Sequence, residues 1–363
     1  MDKRIHGKVL GGERLTPSDG VDLFAWDLQD LGRLAQIVRY RHNPERIVTY
    51  VLDLNLNLTN ICAHECDFCA FWRKESSPDA YLLSDREVTD AVDAAVAEGA
   101  SQVMIQGGVH PRLRLSDYER ILRLLREAHP QITLHVLSPT EIAALARADS
   151  LTVLDTLKRL RSAGMDSLPG GGAEILVDRV RQQVSPRKIS ADGWLDVMET
   201  AHRLGMRSTA TMMFGGIESL AERIDHLDKI RTLQDRTGGF RAFIPWTFSP
   251  ANTKLAQVPR AGGLEYLKTL AISRIYLDTI QHLATGWLTE GIEVAQLGLF
   301  FGADDFGGTL SREEVIRAAG GGGVQTTRTE IERQIRLAGF SPAVRNTCYE
   351  RIDPADQGSQ NSR

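Results

Sequence analysis

Four cysteines in 363 residues are too few for a disulfide framework. The chain also lacks any run near the roughly 18 consecutive apolar residues of a membrane span. Its opening, "MDKRIHGKVLGGERL", has no apolar centre of the kind a secretory signal carries. Together these absences predict a cytoplasmic protein with no membrane span. No block of lysine and arginine is long enough to follow a phosphate backbone, and the net charge of -4 argues against a nucleic-acid partner. There is no internal repeat and no linker that would split the chain. What is present is a hydrophobic fraction of 42%, ample for a large core, at a length that single α/β barrels reach.

From about residue 48, short apolar runs alternate with helical patterns. "IVTYVLDLNLN" reads as a first strand. After it, Val88, Ala91, Val92, Ala95 and Val96 recur at the spacing of one helix face, opened by a Ser84/Glu87 capping box and closed by Gly99. "QVMIQGG" and "ITLHVLS" are the next strands, with Ser116 and Glu119 expected to cap the helix between them and a further helix expected from Pro139. "DSLPG", "RSTATMMF", "FRAFIPW", "QHLATGW" and "EVAQLGLFFG" bring the count to eight. Regular β-then-α alternation calls for a parallel sheet, so the expected fold is α/β: a TIM-type (β/α) barrel, eight-unit, with an N-terminal helical extension and a C-terminal helix. The expected divisions are 1–45 for the extension, 46–312 for the barrel, 313–352 for a helical segment packed on it, and 353–363 for a disordered tail. Glycines 320–323 suggest a mobile loop.

Three of the cysteines, Cys62, Cys66 and Cys69, fall together in "NLTNICAHECDFCAFW", spaced C-x3-C-x2-C between the first strand and the following helix. Three buried hydrophobic thiols would be one reading, but Ala63-His64-Glu65 and Asp67 make the segment too polar for a core. A structural zinc would want a fourth ligand, which only His64 or the distant Cys348 could offer. Three thiolates in one loop suit a [4Fe-4S] cluster whose fourth iron is left open to a ligand. An electron-carrying cluster, by contrast, would want four protein ligands.

At this spacing the loop resembles that of the radical S-adenosylmethionine (SAM) superfamily, which implies a [4Fe-4S] cluster and SAM as cofactors. The resemblance assigns Gln106, Gly107 and Gly108 to the glycine-rich turn near the amino group of SAM, and Phe68 to packing beside the adenine. A carboxylate such as Glu174, after the glycines at 170–172, could accept both ribose hydroxyls, and Arg187 or Lys188 could meet the SAM carboxylate. Ser138 is a further cofactor candidate, although Ser138 and Glu141 also form a capping box. Met213, Phe243 and Trp246 are expected to line the substrate space. His42, His110 and His135 read as buried, hydrogen-bonded histidines, with His135 also placed to face the barrel interior.

Over about residues 45–350, "IQGGVHP", "SLPGGGAEILVDRVR", "LQDRTGGFRAFIPWTFSPANTKL" and "GADDFGGT" are similar to the futalosine-dependent enzymes of menaquinone biosynthesis and their relatives in deazaflavin synthesis. The resemblance implies a small-molecule substrate, dehypoxanthine futalosine. Hydrogen abstraction at its ribose C4' and addition to its benzoate ring would close a ring. A sister activity, radical addition to an enolpyruvyl benzoate, is the alternative. A reducing partner of flavodoxin or ferredoxin type is implied, and Asp304, Asp305 and Glu141 are candidates for the base that takes the ring proton.

Overall fold

The computed structural model describes residues 2–320 and 326–352. The glycine-rich segment beyond Gly320 and the 353–363 tail lie outside the described residues. Among the described residues ten strands form: β1 (Ile47–Val51), β2 (Asp53–Leu56), β3 (Gln102–Ile105), β4 (Thr133–Val136), β5 (Ser167–Leu168), β6 (Arg207–Phe214), β7 (Phe240–Thr247), β8 (His282–Leu283), β9 (Asp305–Gly308) and β10 (Ser341–Val344). β2 to β8 pair in sequence order into one curled, all-parallel sheet. Asp304 N donates to Leu283 O and Thr285 N to Asp305 O, carrying the pairing from β8 to β9. β9 in turn pairs with β1, which runs into β2 across Leu52. The ring of parallel pairings therefore returns to its first strand.

The alternation along the strands explains what the barrel encloses. Leu54, Val103, Leu134, Ala210, Met212 and Phe243 point outward into the apolar layer under the helices. Asp53, Asn55, Gln102, His135, Thr209 and Thr211 have the opposite parity and face inward. A barrel interior packed with branched apolar side chains would be a core. A polar interior such as this one is a cavity.

Helices cover the outside. The one over Asp85–Ala97 starts where the sequence places it: Ser84 N donates to Glu87 Oε2 at 2.7 Å and Glu87 N to Ser84 Oγ at 3.3 Å, an exchange worth about 1 kcal/mol. Lys3–Gly11, Pro17–Asp22 and Leu28–His42 pack before β1. Among them the buried Arg39 donates to the carbonyls of Ala303 and Ile47 and so fastens the last of these helices to the barrel base.

Three expectations are corrected. "EVAQLGLFFG" is not a strand: Ile292–Gly298 is a helix, with Ala295 and Leu299 four apart on its buried side, and the eighth strand lies just beyond, at Asp305–Gly308. The short glycine-rich run there has too little apolar character to be recognised. The helix after β3 begins at Leu115, where Asp117 caps Arg114 N at 2.9 Å; Ser116 sits inside it and Glu119 is taken by Arg159. Finally, β10 was not foreseen. It pairs with β1 (Ile47↔Ser341 to Tyr50↔Val344) and sends Arg345, Thr347 and Tyr349 into the base of the barrel cavity.

Candidate active site

The cysteine loop leaves the C-terminal end of β2 and is held on both sides. Asn57 Nδ2 donates to Gln106 O at 2.5 Å, Thr59 Oγ1 to Tyr81 O at 2.5 Å, and Asn60 Nδ2 to Asp79 O at 2.8 Å. Arg73 Nη1 gathers the carbonyls of Ala70, Phe71 and Trp72. Between the first two thiols, Glu65 takes a positive φ of 45° that turns the chain. Cys62, Cys66 and Cys69 all open onto one cavity of about 340 Å³ inside the barrel, a volume within the range of small-molecule sites.

Burial pushes the Cys66 thiol up to about 12 and also raises that of Cys69. Desolvation thus disfavours the thiolates, and a bound cationic centre would reverse this by coordination. Among the described residues, no three His, Cys, Asp or Glu side chains converge as the ligands of a single ion would. Three thiols that line one cavity without converging on a single ion's position fit a multi-iron cluster better than a mononuclear ion.

Beside the thiols, His64 Nδ1 and Thr140 Oγ1 are buried, face the cavity and have no hydrogen-bond partner, and Glu174 Oε2 has only the Arg181 guanidinium at 3.5 Å. Buried polar atoms are rarely left unpaired, so these mark where a polar ligand belongs. Glu174, at a positive φ of 42°, is paired through Oε1 with Lys188 Nζ at 2.8 Å, and Lys188 Nζ sits 5.0 Å from the centre of the Phe68 ring. Burial opposes the Lys188 charge, but Glu174 outweighs it and raises its pKa. Burial pushes the His64 imidazole down to about 4, which keeps it neutral.

The glycines serve close packing. A Cβ at Gly108 would lie 2.4 Å from Ile61 O, and one at Gly171 would lie 2.4 Å from the Gln106 amide. The Gln106–Gly108 turn and the 170–172 turn are therefore wedged against the cysteine loop and against each other. Gln106, Gly107, Gly108, Ser138, Glu174, Lys188 and Phe68 all border the same cavity as the thiols.

Other candidates fall elsewhere. Arg187 is half-exposed outside the cavity, donating to Ala63 O at 3.2 Å and paired with Glu65 at 3.1 Å. Met213 is buried without lining the cavity. Phe243 faces the helices, because a register shift between Ser208 and Thr209 leaves Ile244 and Trp246 as the inward residues of β7.

The three candidate bases are all committed. Glu141 accepts from Ser138 N at 2.7 Å and Ser138 Oγ at 2.6 Å through one oxygen, and from Gly107 N at 3.1 Å through the other. Asp304 is enclosed by Arg274, His282 Nδ1, Leu283 N and Asn43. Asp305 is held by Arg345 Nε at 2.5 Å, Arg345 Nη2 at 3.0 Å, Thr49 Oγ1 at 2.6 Å and Gly307 N at 2.9 Å. Every oxygen of these carboxylates accepts at least one hydrogen bond, so all three brace the structure, and of the three Glu141 and Asp305 also border the cavity.

Sequence reasoning missed Thr140, Asp53, Glu313, Arg241 and Tyr349 as cavity residues. Burial raises Asp53 to about 6 and Glu313 to about 7. For Arg241 there was a signal: a lone cation inside the apolar strand "FRAFIPW". Nothing local marked the C-terminal residues, because pairing of β10 with β1 alone brings them in.

Residues 56–230 match the Radical SAM superfamily, and residues 237–357 match the CofH/MqnC C-terminal region. A cyclic dehypoxanthine futalosine synthase from Streptomyces coelicolor is 41% identical over 97% of this chain and 90% of its own. A 5-amino-6-(D-ribitylamino)uracil–L-tyrosine 4-hydroxyphenyl transferase from Methanothermobacter thermautotrophicus is 40% identical over 90% of each chain. An aminodeoxyfutalosine synthase from Thermus thermophilus is 38% identical over 96% of this chain and 95% of its own. The crystal structure of methylornithine synthase (PylB) superposes with a TM-score of 0.74 at 19% identity, covering 93% of this chain and 97% of that one. At that identity it shows a shared fold and nothing more.

Proposed function

Since this chain belongs to the radical SAM superfamily, in the group carrying the CofH/MqnC C-terminal region, we propose that it cyclises dehypoxanthine futalosine. The observation that carries this reading is near full-length similarity, at 41% and 39% identity, to two proteins named cyclic dehypoxanthine futalosine synthase. The three thiols and the buried polar atoms without hydrogen-bond partners around one cavity agree with it.

In this reading Cys62, Cys66 and Cys69 hold a [4Fe-4S] cluster. Phe68, His64, Thr140, Glu174 and Lys188 receive SAM beside it, with the Gln106–Gly108 turn fixing the loop. When bound, the cluster and SAM supply a radical that removes one hydrogen atom from the substrate. The protein's part is orientation: ribose C4' must face the cysteine loop, and the benzoate ring must lie within bonding reach of C4'. Ile244, Trp246 and Trp287 wall the cavity with apolar surface that excludes water. Ring closure releases one proton and one electron, so the product is two hydrogens poorer than the substrate. We place the enzyme in the cytoplasm, supplied with electrons by a flavodoxin- or ferredoxin-type partner. Residues 46–312 supply most of the catalytic barrel, with 2–45 packed on it and 341–349 adding a strand and cavity side chains at its base.

A second reading, aminodeoxyfutalosine synthase, is favoured by the 38% identity to the Thermus thermophilus protein of that name. Anaerobic incubation with SAM, a reductant and each substrate separates the two. The proposal expects a product two mass units lighter than dehypoxanthine futalosine, with no turnover of enolpyruvyl benzoate. The reverse pattern overturns it.

A further inference from the structure

Deep in the cavity, away from the thiols, stands a cation that no carboxylate among the described residues pairs. Arg241 follows the first residue of β7, near the N-terminal end of the barrel, while the cysteine loop leaves the C-terminal end of β2. It is 6% exposed and faces the cavity, yet its Nε and Nη2 have no hydrogen-bond partner. The groups that act on it are Cys348, Tyr349 and the cation of Arg345; no carboxylate is among them. Burial, helped by the Arg345 cation, drives its pKa down to about 10. The Arg345 cation, by contrast, is consumed by Asp305.

A second orphan adjoins it. Tyr349 Oη is buried with no partner. Its residue is held at a positive φ of 66°, its ring is stacked on His282 at 4.1 Å, and the Arg345 guanidinium lies 3.9 Å above it. A left-handed backbone is costly for a tyrosine, and the two ring contacts hold it there. The strand pairing of β10 with β1 and the bond from Thr347 Oγ1 to Gln102 Oε1 at 2.6 Å fix the segment that carries it. Two guanidinium nitrogens and a phenol thus present unsatisfied donors to one buried space. An unpaired buried guanidinium is too unfavourable to be left so in the working state.

We propose that Arg241, assisted by Tyr349 Oη, binds a carboxylate of the substrate at the base of the barrel. Resting on the cyclase reading, this assigns the site to the benzoate carboxylate of dehypoxanthine futalosine. An anchor there holds the aromatic end of the substrate down and leaves the ribose toward the cysteine loop. The planar guanidinium suits a carboxylate's two oxygens, which a carboxamide matches poorly.

The test uses anaerobically reconstituted holoenzyme with SAM and no reductant, measuring equilibrium binding of dehypoxanthine futalosine and of its benzamide analogue. Wild type is expected to prefer the acid by about 100-fold, the size of a charge-assisted pair. Arg241→Met is expected to lose that preference by weakening acid binding alone, and Tyr349→Phe to lose about tenfold. SAM affinity and the circular-dichroism spectrum should be unchanged in both. Equal binding of acid and amide by wild type overturns the proposal without any variant, as does an undiminished preference in Arg241→Met. If wild type binds neither compound yet binds SAM, the cyclase reading itself is wrong and this assignment goes with it.

Discussion

Lys188 and Glu174 form a buried ion pair, Nζ to Oε1 at 2.8 Å, on the wall of the cavity that the three thiols share. Neither belongs to the cysteine loop, and the second Glu174 oxygen is only 3.5 Å from Arg181. Removing Lys188 leaves Glu174 charged in a dry site with only the longer contact to Arg181, and breaking a buried pair in this way typically costs 3–5 kcal/mol. Lys188→Met is therefore expected to lower thermal stability by about that much and to weaken SAM binding. Lys188→Met with Glu174→Gln should recover most of the stability without the affinity. Differential scanning calorimetry and SAM titration of the single and double variants check this; a double variant no more stable than the single would contradict it.

Gly108→Ala tests the wedge between the β3 turn and the cysteine loop. Its Cβ would come 2.4 Å from the Ile61 carbonyl, a backbone atom that cannot step aside alone. Overpacking of this kind costs about 1–3 kcal/mol, and the movement falls next to Cys62. The expected outcome is a folded protein with reduced iron content after reconstitution. Full iron and unchanged stability would show that the loop yields freely.

Asp305→Asn separates bracing from proton transfer. The carboxylate is fully buried against Arg345, so the variant should lose roughly 3 kcal/mol of stability. Because every oxygen is already engaged, kcat of the folded fraction should stay within a few-fold of wild type. A loss of a thousandfold or more with stability intact would restore Asp305 as the base.

Buried neutral histidines make the fold acid-sensitive. His202, between Thr237 Oγ1 and Ser208 Oγ at 2.8 Å each, is pushed down by burial to about 4. In the unfolded chain it titrates near 6.5. Its contribution is complete above pH 6.5 and is lost as pH falls toward 4, by about 1.4 kcal/mol per pH unit at most. Asp53 and Glu313, raised by burial, act in the opposite sense, so the comparison must be between variants. The stability difference between wild type and His202→Gln should shrink steadily from about pH 6.5 to pH 4.5. A difference constant over that range contradicts the assignment.

How far the sequence disclosed this structure depended on whether the determining contact was local. The cysteine spacing, the Ser84/Glu87 box and the alternation of "DLNLN" are local signals, and the barrel, its first covering helix and the thiol loop follow from them. The eighth strand was displaced onto "EVAQLGLFFG" because an apolar helical face there outweighs the faint "DFGG" beyond it. Glu141, Asp304 and Asp305 looked available as bases because their partners, Gly107, Arg274 and Arg345, lie 30 or more residues away. Arg241 and Tyr349 come together only through the closure of the barrel and the insertion of the C-terminal segment, which no window of sequence contains.

If only three thiols hold the cluster, one iron is left for SAM. Electron paramagnetic resonance of the anaerobically reconstituted, reduced protein tests it directly. About four irons per chain are expected, with a signal that changes when SAM is added and that is lost in Cys66→Ala. A signal indifferent to excess SAM, with the same iron content, would mean that the fourth iron is already occupied, and the enzymatic reading would fall.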